Sequence, residues 1–230
     1  MKVKLMADIT VGDIKKITKG KLLCGNEYDI CENFCIDSRE IKSGDVFVGI
    51  KGERVNGNEL YEEVLKKGAK CLILENVEIP EDIIKKYTDS AIIIVEDTIK
   101  ALQQIAEYKR NLYKIPVIAI TGSVGKTSTK DIVAEVVSKK YKVLKTQGNL
   151  NNHIGLPLTI LSLKDEEAMV VELGMSHLGE ISTLTKIAKP TIAIITNVGT
   201  AHIGNLGSRE NILKAKMEIT VSYTHLRAHE

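Results

Sequence analysis

Short apolar runs alternate along the chain with longer segments in which hydrophobic residues recur every three or four positions. The runs predict strands buried on both faces, and the longer period predicts helices that bury one side. In the first half the predicted strands are Phe34–Asp37, Asp45–Ile50, Cys71–Leu74 and Ala91–Val95. The predicted helices there are Val11–Ile17, Tyr61–Lys67 and Thr98–Leu112. This order indicates a small α/β domain over residues 1–112.

The second half repeats the alternation, which is typical of a parallel sheet with helical crossovers. Its predicted strands are Val117–Ile120, Lys142–Leu144, Ala168–Leu173 and Thr191–Thr196. Its predicted helices are Lys126–Lys140, Leu156–Ser162, Gly179–Ala188 and Asn211–Ile219. On the first of these helices, one buried face is predicted to carry Ile132, Val133, Val136 and Val137. The pattern predicts a second α/β domain with a mostly parallel sheet over residues 113–220.

Composition and charge narrow the class of protein. The 230 residues carry 32 Lys and Arg against 30 Asp and Glu, for a net charge of +2. This balance argues against a nucleic-acid binder, which would cluster positive charge, and against a polybasic membrane-surface protein. No apolar run approaches the roughly 18 residues of a membrane span, and the start lacks a signal-peptide pattern. We therefore expect a cytoplasmic protein, with neither nucleic-acid binding nor membrane insertion.

The four cysteines do not form a zinc site in this pattern. Cys24, Cys31, Cys35 and Cys71 include no CxxC pair, and no histidine lies in the first 150 residues to complete a ligand set. Reduced thiols are the expected state.

The segment 121–128 joins an apolar strand to an amphipathic helix and reads Thr-Gly-Ser-Val-Gly-Lys-Thr-Ser. Glycines let backbone N–H groups converge on a phosphate, and the N-terminus of the helix favours negative charge. Ile120 stands where the usual pattern has its first glycine. In such a loop Lys126 would neutralise the β- and γ-phosphates and Thr127 would bind Mg²⁺. The residues predicted to bind a nucleotide are Thr121, Gly122, Ser123, Val124, Gly125, Lys126, Thr127 and Ser128.

Further polar groups follow other strands. Glu172 ends a predicted buried strand, where a carboxylate suits a metal ion, although an edge glutamate facing solvent is the alternative. His202 follows the last predicted strand and is either a second metal ligand or an ordinary loop histidine. Asn149, Asn151 and Asn152 are substrate-binding amides or simple turn residues.

Several segments together resemble the Mur ligases, ATP-dependent enzymes that add amino acids or a dipeptide to the peptidoglycan precursor. They are Asp37–Arg39, Gly44–Val48, Lys51–Arg54, Thr121–Thr127, Gly148–Asn152, Glu172–His177 and Asn197–His202. The resemblance covers residues 1 to about 219. It implies a domain that binds a UDP-muramoyl peptide over residues 1–112, followed by an incomplete P-loop ATPase domain.

Within the family, the segments at 149–152, 172–177 and 201–208 favour the member that joins D-alanyl-D-alanine to UDP-N-acetylmuramoyl-tripeptide. The resemblance implies that the tripeptide carboxylate and ATP form an acyl phosphate, which the amine of the dipeptide then attacks, in cell-wall precursor synthesis. The alternatives are the sister ligase that adds the third amino acid, a P-loop phosphotransferase, and a silent module that binds UDP-sugars.

The resemblance also implies roles for single residues. Ser38 and Arg39 would contact the uridine diphosphate, and Asn149, Asn151 and Asn152 would serve the substrate. The catalytic residues would be Lys126, Glu172, His202 and Lys216, and the Mg²⁺ ligands would be Thr127, Glu172, His202 and Lys216. Lys216 matches a lysine that CO₂ carbamylates, whereas from the residues alone it is a solvated lysine of a helix.

The family pattern stops after Ile219. Residues 221–230 are predicted to be a non-native tail, and the family's C-terminal ligase domain is predicted to be absent. We therefore expect the 230 residues alone not to turn over.

Overall fold

A computed structural model describes residues 8–221. Within this range, the chain forms two compact units that divide between Lys109 and Arg110. Of the predicted non-native tail, only Val221 is described, and the rest lies outside the described residues.

The first unit contains a mixed sheet with helices packed on it. Its strands are β1 (Ile9–Thr10), β2 (Lys21–Cys24), β3 (Ile30–Cys31), β4 (Phe34–Cys35), β5 (Val46–Val48), β6 (Cys71–Leu74) and β7 (Ala91–Ile94). Its helices are α1 (Val11–Thr18), α2 (Tyr61–Lys66), α3 (Glu81–Lys86) and α4 (Thr98–Leu112), with a 3-10 turn at Gly57–Leu60. The main sheet has the order β2-β7-β6-β5-β4 and is parallel except where β2 pairs antiparallel with β7. β1 and β3 form a separate antiparallel pair.

The predicted strands and helices of this unit are confirmed, most of them shorter than predicted. β5 and β6 are wholly buried, as continuous apolar runs require. β1, β2, β3 and α3 were not predicted. β1 and β3 have only two residues each, β2 has four with none of them buried, and α3 buries only Ile83, so none of these elements shows a strong periodic pattern.

The second unit is a parallel α/β sheet. Its strands are β8 (Val117–Thr121), β9 (Val143–Lys145), β10 (Ala168–Glu172) and β11 (Ile192–Ile195). Its helices are α5 (Lys126–Ser138), α6 (Gly155–Leu161), α7 (Glu180–Ala188), α8 (Ile203–Leu206) and α9 (Arg209–Met217), with a 3-10 turn at Glu218–Thr220. The strand order is β11-β8-β10-β9 and every pair is parallel, which confirms the predicted sheet.

This strand order decides where the polar residues of the loops meet. β8 lies between β10 and β11, with Ile120 in register with Glu172 on one side and Thr121 with Ile195 on the other. β8 and β10 are buried along their whole length. Because parallel strands end at the same edge, the loops that follow β8, β10 and β11 share one crevice.

The predicted buried face of α5 is partly wrong. Val133 and Val137 pack against the sheet core of Ile118, Ile120 and Val170, as predicted, but Ile132 is 65% and Val136 66% exposed. At about 100° per residue, positions 132 and 136 lie roughly 110–150° around the helix from the middle of the packed stripe, which contains Val133, Val137 and buried Lys130 and Ala134. The four apolar residues therefore do not share one buried face.

The start of β8 is fixed by a buried arginine. Arg110 donates from Nε to the Ala188 carbonyl oxygen at 2.8 Å and from Nη1 to the Tyr113 carbonyl oxygen at 2.5 Å. Its Nη2 reaches the carbonyl oxygens of Ile115 and Lys189, each at 3.3 Å. Burial lowers the pKa of Arg110, and the carbonyl groups at the C-terminus of α7 offset the cost of burying its charge.

None of the helices within residues 8–221 is long and apolar enough to cross a membrane.

Candidate functional site

The loop between β8 and α5 has the backbone geometry of a phosphate-binding turn. Gly125 adopts φ 80° immediately before α5, and Gly122 adopts φ 155° just after β8. No side chain caps α5, so the N–H groups of its first turn point out of the helix without an intrahelical acceptor. These N–H groups and the helix dipole form a site for an anion.

Two side chains of the predicted set stand at this turn. Lys126 donates from Nζ to the Gly122 carbonyl oxygen at 3.0 Å, so its ammonium group lies over the loop. Thr127 donates from Oγ1 to Glu172 Oε2 at 2.9 Å. The structure therefore brings the phosphate loop and the end of β10 into direct contact, which their separation in the sequence did not guarantee.

Glu172 is buried, with 3% of its surface exposed, so the alternative of a solvent-facing edge glutamate is wrong. Its Oε1 accepts a hydrogen bond from Asn151 Nδ2 at 2.9 Å, and its backbone N–H donates to Thr146 Oγ1 at 3.0 Å. Both described side-chain partners of the carboxylate, Thr127 and Asn151, are neutral. A buried carboxylate with only neutral partners is suited to receive a cation.

The three asparagines have different surroundings. Asn151 contacts Glu172, and its carbonyl oxygen accepts the Gly174 N–H at 2.9 Å. Asn152 Oδ1 accepts the N–H groups of Ile154 and Gly155 at 3.1 and 2.8 Å, which is turn chemistry at the start of α6. Asn149 is exposed.

Lys216 is buried in α9, with 1% exposure, whereas Lys214 is exposed. The alternative of a solvated lysine at 216 is therefore wrong. Burial, and next the charge of Lys126, lowers the pKa of Lys216 from its ordinary value of 10.5 to about 8. Lys216 therefore lies within electrostatic reach of the phosphate loop.

His202 is exposed and is the N-cap residue just before α8, in the left-handed region with φ 65°. Its carbonyl oxygen accepts the N–H groups of Asn205 and Leu206. No described contact joins its side chain to Thr127 or Glu172, and residues 8–221 contain no cluster of three or more His, Cys, Asp or Glu positioned for a metal. The hydroxyl of Thr127 and the carboxylate of Glu172 nevertheless match the oxygen ligands that Mg²⁺ prefers beside phosphates.

A second group of predicted residues lies in the first unit. Arg39 is exposed and forms a bidentate pair with Asp37, in which Nε donates to Oδ1 at 2.9 Å and Nη2 to Oδ2 at 2.5 Å. The hydrogen bonds from Arg39 hold the pKa of Asp37 at about 2. Ser38 is buried, and its carbonyl oxygen accepts Lys67 Nζ at 2.8 Å.

Two family profiles match these units. The profile of the Mur ligase family, catalytic domain, matches residues 32–110, and the profile of the Mur ligase middle domain matches residues 120–226. The chain belongs to the Mur ligase family. The two matched ranges include Arg39 and the loop between β8 and α5, respectively.

Relatives with known names agree. This Mur ligase chain is 40% identical over 213 residues to the UDP-N-acetylmuramoyl-tripeptide–D-alanyl-D-alanine ligase of Bacillus subtilis, which covers 91% of the chain and 45% of the relative. Its fold matches MurF from Acinetobacter baumannii with a TM-score of 0.82 at 35% identity, over 94% of this chain and 47% of that one. It also matches MurF ligase from Thermotoga maritima in complex with ADP, with a TM-score of 0.76 at 39% identity, over 84% and 44%. The chain thus spans about half the length of the relatives it matches.

The sequence did not point to several residues that hold the side chains and loops of the candidate site in place. Thr146 holds the backbone of Glu172, and buried Lys130 donates from Nζ to the Thr146 carbonyl oxygen at 3.0 Å. Asn197 contacts the phosphate loop directly. Asn197 stood in a matched motif, but nothing in its spacing signalled contact with a loop more than 70 residues away.

Proposed function

We propose that this chain supplies the nucleotide-phosphate and UDP-muramoyl-peptide sites of an ATP-dependent ligase. The ligase joins D-alanyl-D-alanine to UDP-N-acetylmuramoyl-tripeptide in peptidoglycan precursor synthesis. The single observation that carries the proposal is the contact of Thr127 with buried Glu172 at the mouth of the phosphate loop. The Bacillus subtilis relative is named as a ligase of these two substrates, and the Thermotoga maritima structure contains ADP, so both support the proposed substrates.

In the proposed reaction, the tripeptide carboxylate attacks the γ-phosphorus of ATP, forms an acyl phosphate and releases ADP. The dipeptide amine then attacks the acyl carbon, loses a proton, and expels inorganic phosphate as the peptide bond forms. Lys126 and the first-turn N–H groups of α5 orient and neutralise the phosphates, and Asn151 fixes the carboxylate of Glu172. Positioning and charge neutralisation supply most of such catalysis.

Thr127 and Glu172 would hold Mg²⁺, with His202 as a further ligand from the loop after β11. The metal would neutralise negative charge that develops on the phosphates. The proposed role of His202 requires its exposed side chain to turn toward the phosphate loop.

Lys216 is proposed to carry the carbamate. Its lowered pKa leaves part of the population as the neutral amine near neutral pH. That amine attacks CO₂, a new N–C bond forms, and one proton leaves, so a buried cation becomes an anion that can serve Mg²⁺. In isotope-labelled bicarbonate, we expect a carbamate resonance that Lys216→Met removes and Lys214→Met keeps. A resonance unchanged in Lys216→Met would reject this assignment.

In the first unit, Arg39 is proposed to bind the diphosphate of the UDP group because its planar fork matches phosphate oxygens. Asp37 holds that fork in the free protein, so the ligand would have to displace a carboxylate. Ser38 would contribute beside it, and Asn149 and Asn152 would line the peptide path. ATP and UDP-linked substrates indicate a cytoplasmic reaction.

The test of the phosphate site is ATP binding measured by calorimetry. We expect Lys126→Met to weaken ATP binding about 10- to 100-fold, because a charged hydrogen bond contributes about 1.5–3 kcal/mol. Lys139→Met is the matched control, since that lysine is exposed near the other end of α5. Equal affinities of Lys126→Met and wild type would reject the site.

The test of the substrates is phosphate release across a matrix of UDP-muramoyl peptides and amine acceptors. Release by a full-length ligase that contains these residues should require UDP-N-acetylmuramoyl-tripeptide and D-alanyl-D-alanine together. Release that requires UDP-N-acetylmuramoyl-dipeptide and a single amino acid would favour the sister ligase. Release without an amine acceptor would favour a phosphotransferase. The 230 residues alone are proposed to bind nucleotide and to release no phosphate.

A further inference from the structure

The loop after β11 forms several hydrogen bonds to Ser123 and Val124 at the tip of the phosphate loop. Asn197 Oδ1 accepts the N–H groups of Ser123 and Val124, both at 3.1 Å, and Asn197 Nδ2 donates to the Val124 carbonyl oxygen at 3.3 Å. The same carbonyl oxygen accepts Thr196 Oγ1 at 2.7 Å, and Ser123 Oγ accepts the Gly199 N–H at 2.9 Å. A short loop fixed by so many bonds from one neighbour is held in a single shape.

The fit is close enough to explain the first glycine of the loop. A Cβ atom at Gly122 would lie 1.9 Å from Thr196 Oγ1, and φ 155° is unfavourable for other residues. Because Gly122 lacks a side chain, the segment 196–199 can pack directly on the loop backbone.

These contacts also decide which backbone N–H groups of the loop are available to a ligand. The N–H groups of Ser123 and Val124 are already bound by Asn197, so they are not free to meet a phosphate. The first turn of α5 has no cap, and its N–H groups at Lys126, Thr127 and Ser128 remain available.

We propose that Asn197 is a positioning residue that clamps the phosphate loop and confines its anion site to the first turn of α5 and Lys126. The inference rests on the proposed nucleotide site but concerns a residue outside it. Asn197 acts through the loop backbone and does not need to touch the nucleotide.

The clamp also links the loop to α9. Arg209, the first residue of α9, donates from Nη2 to the Val198 carbonyl oxygen at 3.0 Å. Val198 lies between the clamping residues Asn197 and Gly199, and α9 carries buried Lys216. The same short segment therefore positions both the phosphate loop and the helix that holds Lys216.

The first test is amide hydrogen exchange of Ser123 and Val124 in the full 230-residue chain without nucleotide. We expect Asn197→Ala to speed the exchange of Val124 at least tenfold, because its N–H group loses its acceptor. The effect on Ser123 should be smaller, because its N–H group also donates to the backbone carbonyl oxygen of Asn197 at 3.2 Å, which the substitution keeps. Asn197→Asp should keep both N–H groups protected, since a carboxylate oxygen still accepts. Asn205→Ala, which removes an exposed asparagine from α8, is the matched control. Unchanged exchange of Val124 in Asn197→Ala overturns the clamp.

The second test is affinity for ATP, ADP and adenosine. A clamp that shapes the anion site predicts at least tenfold weaker ATP and ADP binding in Asn197→Ala, with adenosine binding and the melting temperature of the free protein unchanged. Asn197→Asp should bind ATP weakly despite its protected amides, because its charge repels the phosphates. Equal loss for adenosine, or unchanged ATP binding, overturns the positioning role. If wild type binds no ATP, the proposed function fails, while hydrogen exchange still decides the clamp.

Discussion

The candidate site in the second unit contains two buried side chains of opposite charge, Glu172 and Lys216. The carboxylate of Glu172 is buried against a hydroxyl and an amide, and the amine of Lys216 is buried where the charge of Lys126 also acts on it. Burial without an oppositely charged partner is unfavourable for both groups in the free protein. Substitution of either side chain therefore tests its burial, through the effect on unfolding or on ligand binding.

The first residue-scale prediction concerns Lys216 and pH. Between pH 8 and 10.5 the folded protein has released the Lys216 proton while the unfolded chain retains it. The unfolded state then binds more protons, so the free energy of unfolding rises with pH in this window. Urea unfolding in CO₂-free buffer should show this rise for wild type and Lys214→Met, and not for Lys216→Met. Parallel curves for all three proteins would contradict the lowered pKa.

The second residue-scale prediction concerns Glu172. Glu172→Gln removes the negative charge from the mouth of the phosphate loop and leaves a side chain of the same shape. We expect the enhancement of ATP binding by Mg²⁺ to disappear, while ATP binding in the presence of a chelator and the free energy of unfolding do not fall. Glu135→Gln, in an exposed ion pair on α5, should behave as wild type. Full Mg²⁺ enhancement in Glu172→Gln would exclude this carboxylate as a ligand.

At the scale of elements, α5 is the helix whose buried face differs most clearly from the face that its apolar residues predicted. Ile132 and Val136 are apolar but exposed, and Lys130 is charged but buried because its ammonium group reaches the Thr146 carbonyl oxygen. The helix joins the sheet through Val133, Ala134 and Val137 instead. The positions of apolar residues predict the buried face of a helix only approximately, because a long polar side chain can also be buried when its charged end reaches a hydrogen-bond partner.

This packing predicts a contrast between two isoleucines. Ile120→Ala, in fully buried β8, should lower the free energy of unfolding by about 2–5 kcal/mol, the range for truncation of a buried isoleucine. Ile132→Ala should change it by less than about 0.5 kcal/mol, as surface substitutions usually do. Chemical denaturation with both variants measures the difference. Similar losses for the two would show that Ile132 is covered in solution.

At the scale of the whole molecule, the order of the strands leaves an apolar edge. β11 pairs with β8 on one side, and within residues 8–221 no strand pairs with its other side. Ile192 is 50% exposed on this edge, and the remaining residues of β11 are half-buried. An apolar edge strand with free backbone groups is a template for pairing with another chain.

We therefore expect the 230-residue chain to self-associate through β11. Ile192→Lys should lower the concentration-dependent light scattering, because a charge on an edge strand opposes pairing. Leu213→Lys is the control, since that residue has similar exposure but lies on α9. An equal effect of the two substitutions would indicate general solubility and not edge pairing.

Much of this architecture was predictable from the sequence. The buried strands around Ile73, Ile93, Ile120 and Val170 are continuous apolar runs, and such runs are visible without a structure. β2 and α3 were not predictable, because short elements with few buried residues have no reliable period.

The sequence by itself determined the alternation of strands and helices, the phosphate loop with Lys126 and Thr127, and the family, because these are local patterns. Only the tertiary structure decided that Glu172 is buried against Thr127, that Lys216 and not Lys214 is buried, and that Asn197 holds the loop. The strand order β11-β8-β10 brings these residues together from distant parts of the chain. That order depends on how crossovers pack on the sheet, and no local pattern encodes it.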